Sequence, residues 1–346
     1  MEKVLFFVGI DIACDDFTAA IVDQPGHVID TREKVPNRSD GFHDLDTWLG
    51  QQGVTMETCV ICMENTGVYN EALCYYLAAV GYHVAVVPPH HAKKRFTTLS
   101  KTDRIDSKQL AEYACRYYDQ LRFWKPREPV LEQIKVLYAT REHFTRQLIA
   151  NKNALTALER KVVKTPLASA SYRDMITEIT RRIKALDEEI AKLINANPTY
   201  KQLSDLADSV PGVGQPLANS LMVITDGFTT NKDHKKLCSL LGLAPHEHQS
   251  GKSILYRPRS VGHGNPRIRK LLHLAARSVA THIAEFRHYY LRKLAEGKPK
   301  LLIYNNIANK LIKIVLAVVQ SRTPYIKGYR SVNPTYLASK TLSLCH

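Results

Sequence analysis

The sequence predicts an α/β domain, then a pair of long helices, then a mainly α-helical domain, and three observations carry that prediction. Short apolar runs in quick succession precede alternating strand and helix patterns in the first third. Apolar residues recur at alternating steps of three and four between Val130 and Leu193, and long apolar-faced segments fill the last third.

Taken in order, Val4 to Ile12 reads as a buried strand and Phe17 to Val22 as a second. Gln24-Pro-Gly-His27 turns the chain into a third at Val28 to Val35, which completes an antiparallel meander. Helical periodicity follows from Phe42 to Leu49, a strand at Thr58 to Met63, a helix at Asn70 to Val80 and a strand at His83 to Val87. Three hairpin strands followed by alternating units is the order of the ribonuclease-H-like fold, in which the first and fourth strands are neighbours. Asp103 to Tyr118 closes this domain, residues 1–125, as a helix, and Pro126 and Pro129 bracket a linker.

Residues 126–198 carry the heptad pattern. Val130, Ile134, Leu137, Phe144, Leu148, Leu155, Leu158 and Val162 form one apolar seam, interrupted by Arg141 and Asn151. After Pro166 a second seam runs through Ile176, Ile179, Ile183, Leu186, Ile190 and Leu193. The two helices make either an antiparallel coiled-coil hairpin or a junction with another subunit, and polar residues in the seam lean toward the partner. Residues 199–346 read as mostly helical: Ser209-Val-Pro-Gly-Val-Gly-Gln-Pro216 joins two helices, and Ile268 to Ile283 and Leu301 to Val319 supply the core.

The charge is divided unevenly. Residues 1–125 hold 13 Lys and Arg against 17 Asp and Glu, residues 126–199 hold 13 against 9, and residues 200–346 hold 22 against 7, so the net +15 lies downstream of the first domain. A positive field concentrated on one folded unit attracts polyphosphate, and counterion release makes nucleic acid the natural partner; the competing reading is a solubilising surface. The apolar run at Val4 to Val8 ends at Asp11, far short of the roughly 20 residues that a membrane span takes, and no small-residue cleavage site follows it. Seven scattered cysteines give no disulfide framework. Free thiols in a bacterial cytoplasm are the expectation.

Four acids stand where chemistry is expected. Asp11 lies near the end of the first strand, Glu64 follows the fourth, and Asp103 and Asp106 share one face of a helix start. Converging carboxylates repel unless divalent cations neutralise them, and hard oxygen donors suit Mg²⁺. Two such ions would clamp the attacking and leaving oxygens of a phosphodiester. Taken singly, each acid reads more readily as a surface residue or a helix cap; the ordered set on this fold is what points to a metal.

Val210-Pro-Gly-Val-Gly214 has the form of a helix-hairpin-helix loop, whose glycines let backbone N–H groups approach a phosphate; a plain cap and turn is the alternative. Ser250-Gly251 sits in a polar stretch followed by Arg257, Arg259, His263, Arg267 and Arg269. A serine attacking a phosphate needs such positive charge nearby, although Ser-Gly is also ordinary turn chemistry. Cys59 and Cys62 lie in an apolar strand with no second pair at zinc spacing and read as core, and His90-His91 reads as a loop feature.

Gly9-Ile-Asp11, Met63-Glu-Asn-Thr-Gly67, Lys101-Thr-Asp-Arg-Ile-Asp106, Pro211-Gly-Val-Gly214, Gly242-Leu-Ala-Pro245 and Ser250-Gly251 occur in that order. This series resembles the DEDD transposases of bridge-RNA-guided insertion sequences over nearly the whole chain. The resemblance implies a RuvC-like metal-binding domain, a coiled-coil oligomerisation segment and a transposase domain carrying the nucleophile. It implies that Asp11, Glu64, Asp103 and Asp106 bind Mg²⁺ and that Ser250 attacks DNA to form a phosphoserine intermediate. It also implies a tetramer built from dimers with composite sites, and a structured guide RNA that pairs with donor and target DNA. Ile254-Leu-Tyr-Arg-Pro258 departs from the family's more polar stretch there, and His248 and His263 are candidate bases for Ser250 without an assignment.

Other readings keep part of this pattern. A hydrolytic junction-resolving nuclease would keep the acids and leave Ser250 a bystander. A sugar-kinase or actin-like ATPase shares the Gly9-Ile-Asp-Ile-Ala opening, but no Gly follows Asp11 in the phosphate-loop manner. A non-enzymatic RNA-binding protein would have no use for the acids.

Overall fold

The computed structural model describes residues 4–89, 102–250, 254–260 and 264–328, with 246–250 and 254–260 described by their backbone alone. The chain divides into two compact units, Met1–Pro126 and Arg127–His346.

The first unit opens with the meander β1 (Phe6–Ile12), β2 (Asp16–Asp23) and β3 (Val28–Pro36). It continues through α1 (Ser39–Gln51), β4 (Cys59–Glu64), α2 (Glu71–Val80), β5 (His83–Val87) and α3 (Asp103–Tyr117). The sheet order is β3-β2-β1-β4-β5, with β1 antiparallel to β2 and parallel to β4. This mixed sheet is compatible with the ribonuclease-H-like order. The central strands read as unbroken apolar runs because both of their faces are covered. Val8, Ile10, Ile61 and Met63 pack with Leu45 and Leu49 of α1 and Leu73 and Leu77 of α2. On the other face Phe7, Val60 and Cys62 meet Leu110, Tyr113 and Ala114 of α3. Cys59 and Cys62 are core residues, and burial pushes both thiols up to about 12.

The second unit begins with α4 (Pro129–Glu159) and α5 (Pro166–Ala196), each opening on the proline at its first turn. Two ion pairs, Arg141 with Asp187 and Arg173 with Glu159, fix an antiparallel pairing within the chain. Arg141, an interruption of the seam in sequence, thus has its partner on the neighbouring helix, with Nε 2.5 Å and Nη2 3.0 Å from the Asp187 carboxylate. The base of the pair is buried through Leu131, Ile134, Tyr138, Ile190 and Ile194, which join the core of the C-terminal helices. Farther out the seam is half-buried except at Ile179, which is buried. Val162, expected within it, lies beyond the end of α4 and is 96% exposed, beside Val163 at 79%.

The remaining elements are α6 (Pro198–Asp208), α7 (Gln215–Ile224), α8 (His234–Leu240), β6 (Pro245–Ser250), β7 (Ile254–Ser260), α9 (Pro266–His282), α10 (Ala284–Ala295) and α11 (Lys300–Ser321). The antiparallel hairpin β6–β7 was not expected from the sequence: Ser250 ends its first strand, with Ile254 as its register partner. By length and composition α11 could cross a membrane. Its Ile303, Ile307, Leu311, Ile312 and Val315 are instead buried, and they make it the central helix of this core.

Candidate active site

Asp11 and Glu64 come together through strand pairing. The β1–β4 register matches Ile10 with Met63, so the next step along both strands brings Asp11 beside Glu64. Side chains alternate faces along a strand. The acids therefore share the face of Phe7, Val60 and Cys62, the one that α3 covers.

The direction of α3 brings the other two acids to the same edge. Near its C-terminal end the Tyr118 ring lies 6.2 Å from that of Phe7. Nearer its start, Ser107 and Ala111 lie on Gly9, where a Cβ would come within 2.0 Å of the Ser107 carbonyl oxygen and 2.3 Å of the Ala111 nitrogen. The helix thus runs antiparallel to β1, and its first turn, with Asp103 and Asp106, overhangs the strand end that carries Asp11. Thr102 caps it, its hydroxyl accepting from the Ile105 N–H. Only glycine permits this approach at position 9. The four acids share one sheet edge without closing into a cage: among the described residues, no three His, Cys, Asp or Glu side chains are gathered tightly enough to hold an ion.

Two asparagines that the motif reading passed over brace this edge. Asn37 Nδ2 donates to the carbonyls of Ala13 at 3.0 Å, Cys14 at 3.4 Å and Tyr69 at 3.0 Å, and so ties the loop after β1 to the loop after β4. Asn70 Nδ2 donates to the backbone carbonyl of Glu64 itself at 3.2 Å. Two residues past Glu64, Thr66 Oγ1 is buried with no hydrogen-bond partner among the described residues. Asn70 was visible in sequence only as a helix start, and Asn37 carried no signal there.

Ser250 belongs to the second unit, at the far end of β6. The hairpin is secured at its root. Gly264 takes a φ of +117°, and a Cβ there would lie 2.7 Å from the Gly242 nitrogen and from the Leu240 oxygen. The Leu243 carbonyl accepts from Asn305 Nδ2 at 2.9 Å, which fastens the same root to α11. Arg257 and Arg259 fall on β7; His263, Gly251, Lys101 and His90-His91 lie outside the described residues, and the side chain of His248 is not described.

Arg267 needs a correction, since it does not serve as a free cation beside the serine. Its guanidinium lies 4.1 Å over the Tyr138 ring and its Nε is 3.9 Å from Glu142, so it braces α9 against α4. Burial lowers its pKa. The glycine loop also faces inward: Gly212, at φ +80°, lies where a Cβ would come within 2.5 Å of Val279 Cγ1 on α9. Close helix packing therefore accounts for Gly212, whereas at Gly214 a Cβ would meet only Pro216 Cδ, at 3.8 Å.

Comparison with known proteins bears on both units. Residues 8–162 match a transposase family model, the DEDD transposase of IS110, and residues 204–291 match the model described as transposase, IS116/IS110/IS902 family. The pilin gene-inverting protein of Moraxella lacunata is 30% identical over 327 residues, 93% of this chain and 98% of its own length. That of Moraxella bovis matches to the same extent. The transposase for insertion sequence element IS1111A of Coxiella burnetii is 24% identical over 94% of this chain and 93% of its own.

Proposed function

The chain belongs to the IS110 family of transposases and is a DNA transposase or recombinase, and from that premise we propose that it cuts and rejoins DNA under RNA guidance through a covalent phosphoserine at Ser250. One observation carries the catalytic part: Asp11 and Glu64 end adjacent parallel strands beneath the first turn that carries Asp103 and Asp106. All four donors are hard carboxylate oxygens, and the orphaned Thr66 hydroxyl lies at the same edge, a donor set that fits Mg²⁺. Asp11, Glu64, Asp103 and Asp106 would hold the metal, which when bound supplies positive charge to the attacking and leaving oxygens of a phosphodiester.

The protein's own steps are a pair of transesterifications. The Ser250 Oγ–P bond forms as a P–O bond of the DNA strand breaks; the serine gives up its proton, and the freed DNA oxygen takes one up. A DNA hydroxyl then attacks the same phosphorus and returns the serine. One phosphodiester is exchanged for another, so no ATP is consumed.

A composite site that draws the acids and the serine from different subunits of a tetramer is part of this proposal. The half-buried outer seam of α4 and α5, with Val162 and Val163 exposed at its tip, offers one surface for that assembly. A structured guide RNA would read donor and target sequence by pairing, while the cationic C-terminal unit holds phosphates. The bacterial cytoplasm is the compartment this activity requires.

Trapping on a nicked DNA substrate with Mg²⁺ and the guide RNA tests the proposal. The wild-type protein gives a detergent-resistant DNA adduct that maps to Ser250, Ser250→Ala gives none, and Asp11→Asn or Asp106→Asn slows cleavage about 1000-fold or more, the scale of several lost kcal/mol of charge stabilisation. Strand joining by Ser250→Ala, with no wild-type adduct, would overturn the serine chemistry, and cleavage with neither adduct nor joining would leave the hydrolytic nuclease in its place.

A further inference from the structure

A groove of about 730 Å³ opens on the second unit between α9, α10 and α11. Its α9 wall carries Arg269, Lys270, His273 and Arg277, where Lys270, His273 and Arg277 follow at helical steps of three and four, one stripe beside the buried Ile268, Leu272 and Ala276. Lys300, in the first turn of α11, adds a cation to the opposite wall. The local field is positive enough to register on His273, whose pKa falls through burial and then through Arg269.

The groove is more than a basic patch. Across from these cations the Tyr290 and Tyr304 rings stack with centroids 5.3 Å apart and planes 17° from parallel. Leu274 and Leu301, exposed by 54% and 76%, border the same space. A duplex presents only sugar-phosphate to such a surface and leaves the rings and leucines with nothing apolar to cover them. An unpaired strand presents phosphates, sugars and base faces together, and base stacking on aromatic rings beside cations is how single strands are held without sequence preference.

We propose that this groove docks a single-stranded segment of the DNA substrate, with phosphates against Lys270, Arg277 and Lys300 and an unpaired base continuing the Tyr290–Tyr304 stack. The proposal rests on DNA being the substrate of this chain; strand cleavage and exchange expose unpaired segments that need a holder.

Equilibrium binding of the full-length chain to a labelled single-stranded oligodeoxynucleotide, to its duplex and to the RNA of the same sequence tests it. Tyr304→Leu weakens single-strand DNA binding roughly tenfold and changes duplex binding less than about twofold, while Tyr304→Phe, which keeps the ring, stays within about twofold on both. Arg277→Ala and Lys300→Ala each flatten the salt dependence of single-strand binding by about 0.7 in log–log slope. Matched thermal melts of all four variants establish that the fold is intact. Equal losses on duplex and single strand, losses confined to RNA, or no loss at all would each overturn the proposal. Adduct formation at Ser250 is scored on separate samples, so a missing adduct would sink the recombinase mechanism and leave the binding result to be judged alone.

Discussion

The acids and the serine stand on supports of opposite kind. Asp11 and Glu64 end strands whose Val8, Ile10, Val60 and Ile61 are fully buried between helices on both faces. Ser250 ends one strand of a two-stranded sheet. An isolated hairpin is marginal in water, so this one depends on its root at Gly242, Leu243 and Gly264. The acids are set by an interior that cannot shift without cost, whereas Ser250 is set by a hairpin whose described anchor is its root.

Substitutions that strike one support and spare the other test this contrast, and buried thiols report each unit separately. Cys59 and Cys62, held up to about 12, and Cys238, held up to about 11, are protonated and buried, so pulse alkylation at pH 8 labels them only after their own unit opens. The largest effect is expected from Gly9→Ala, whose Cβ meets helix backbone at 2.0 Å. A loss of about 3 kcal/mol or more brings Cys59 and Cys62 labelling to lower denaturant while Cys238 stays protected. Parallel exposure of all three thiols would mean that the units open as one, and the contrast would fail.

Gly264→Ala comes next. It combines a left-handed φ with a 2.7 Å backbone contact, at a cost of about 2 kcal/mol, and should reduce the Ser250 adduct at least tenfold with Cys59 and Cys62 labelling unchanged. Arg267→Ala removes the cation over Tyr138. An unfolding free energy lowered by about 1–2 kcal/mol, with Arg267→Lys recovering part of it, is the expected result in a denaturant titration.

Asn37→Ala unties the two loops behind the acids at about 1 kcal/mol. Its mark should be a higher Mg²⁺ requirement for cleavage rather than a lower melting temperature. The last effect is confined to alkaline pH. Folded Cys59 and Cys62 stay protonated up to about 12, while unfolded thiols ionise near ~8.5. Their contribution is therefore whole below that lower value and is lost as pH rises toward 12. Cys59→Ala should flatten the decline above pH 9 in a stability–pH series.

The first unit was legible because burial on both faces writes itself as unbroken apolar runs, and because strand ends and a helix start are where the acids fall. The β6–β7 hairpin was not: Pro245-His-Glu-His-Gln-Ser250 carries little apolar alternation, and Pro258 lies inside the returning strand. Arg267 looked like one more phosphate-binding cation, since its ring partner Tyr138 lies far back in the chain. Gly212 carried a signal of close approach, but the approaching group, Val279 on α9, cannot be named from a loop motif. Asn37 acts through three carbonyls from two distant loops, and a backbone oxygen leaves no trace in residue identity.

The near contact of Gly242 with Gly264 makes the β6–β7 arm a cassette. Chain entering and chain leaving meet at one point, so an arm of another length or sequence can be exchanged there without redrawing the path of α8 or α9. Diversification of reach or preference in this protein can therefore proceed by swapping an insert while the helical frame beneath it stays as it is.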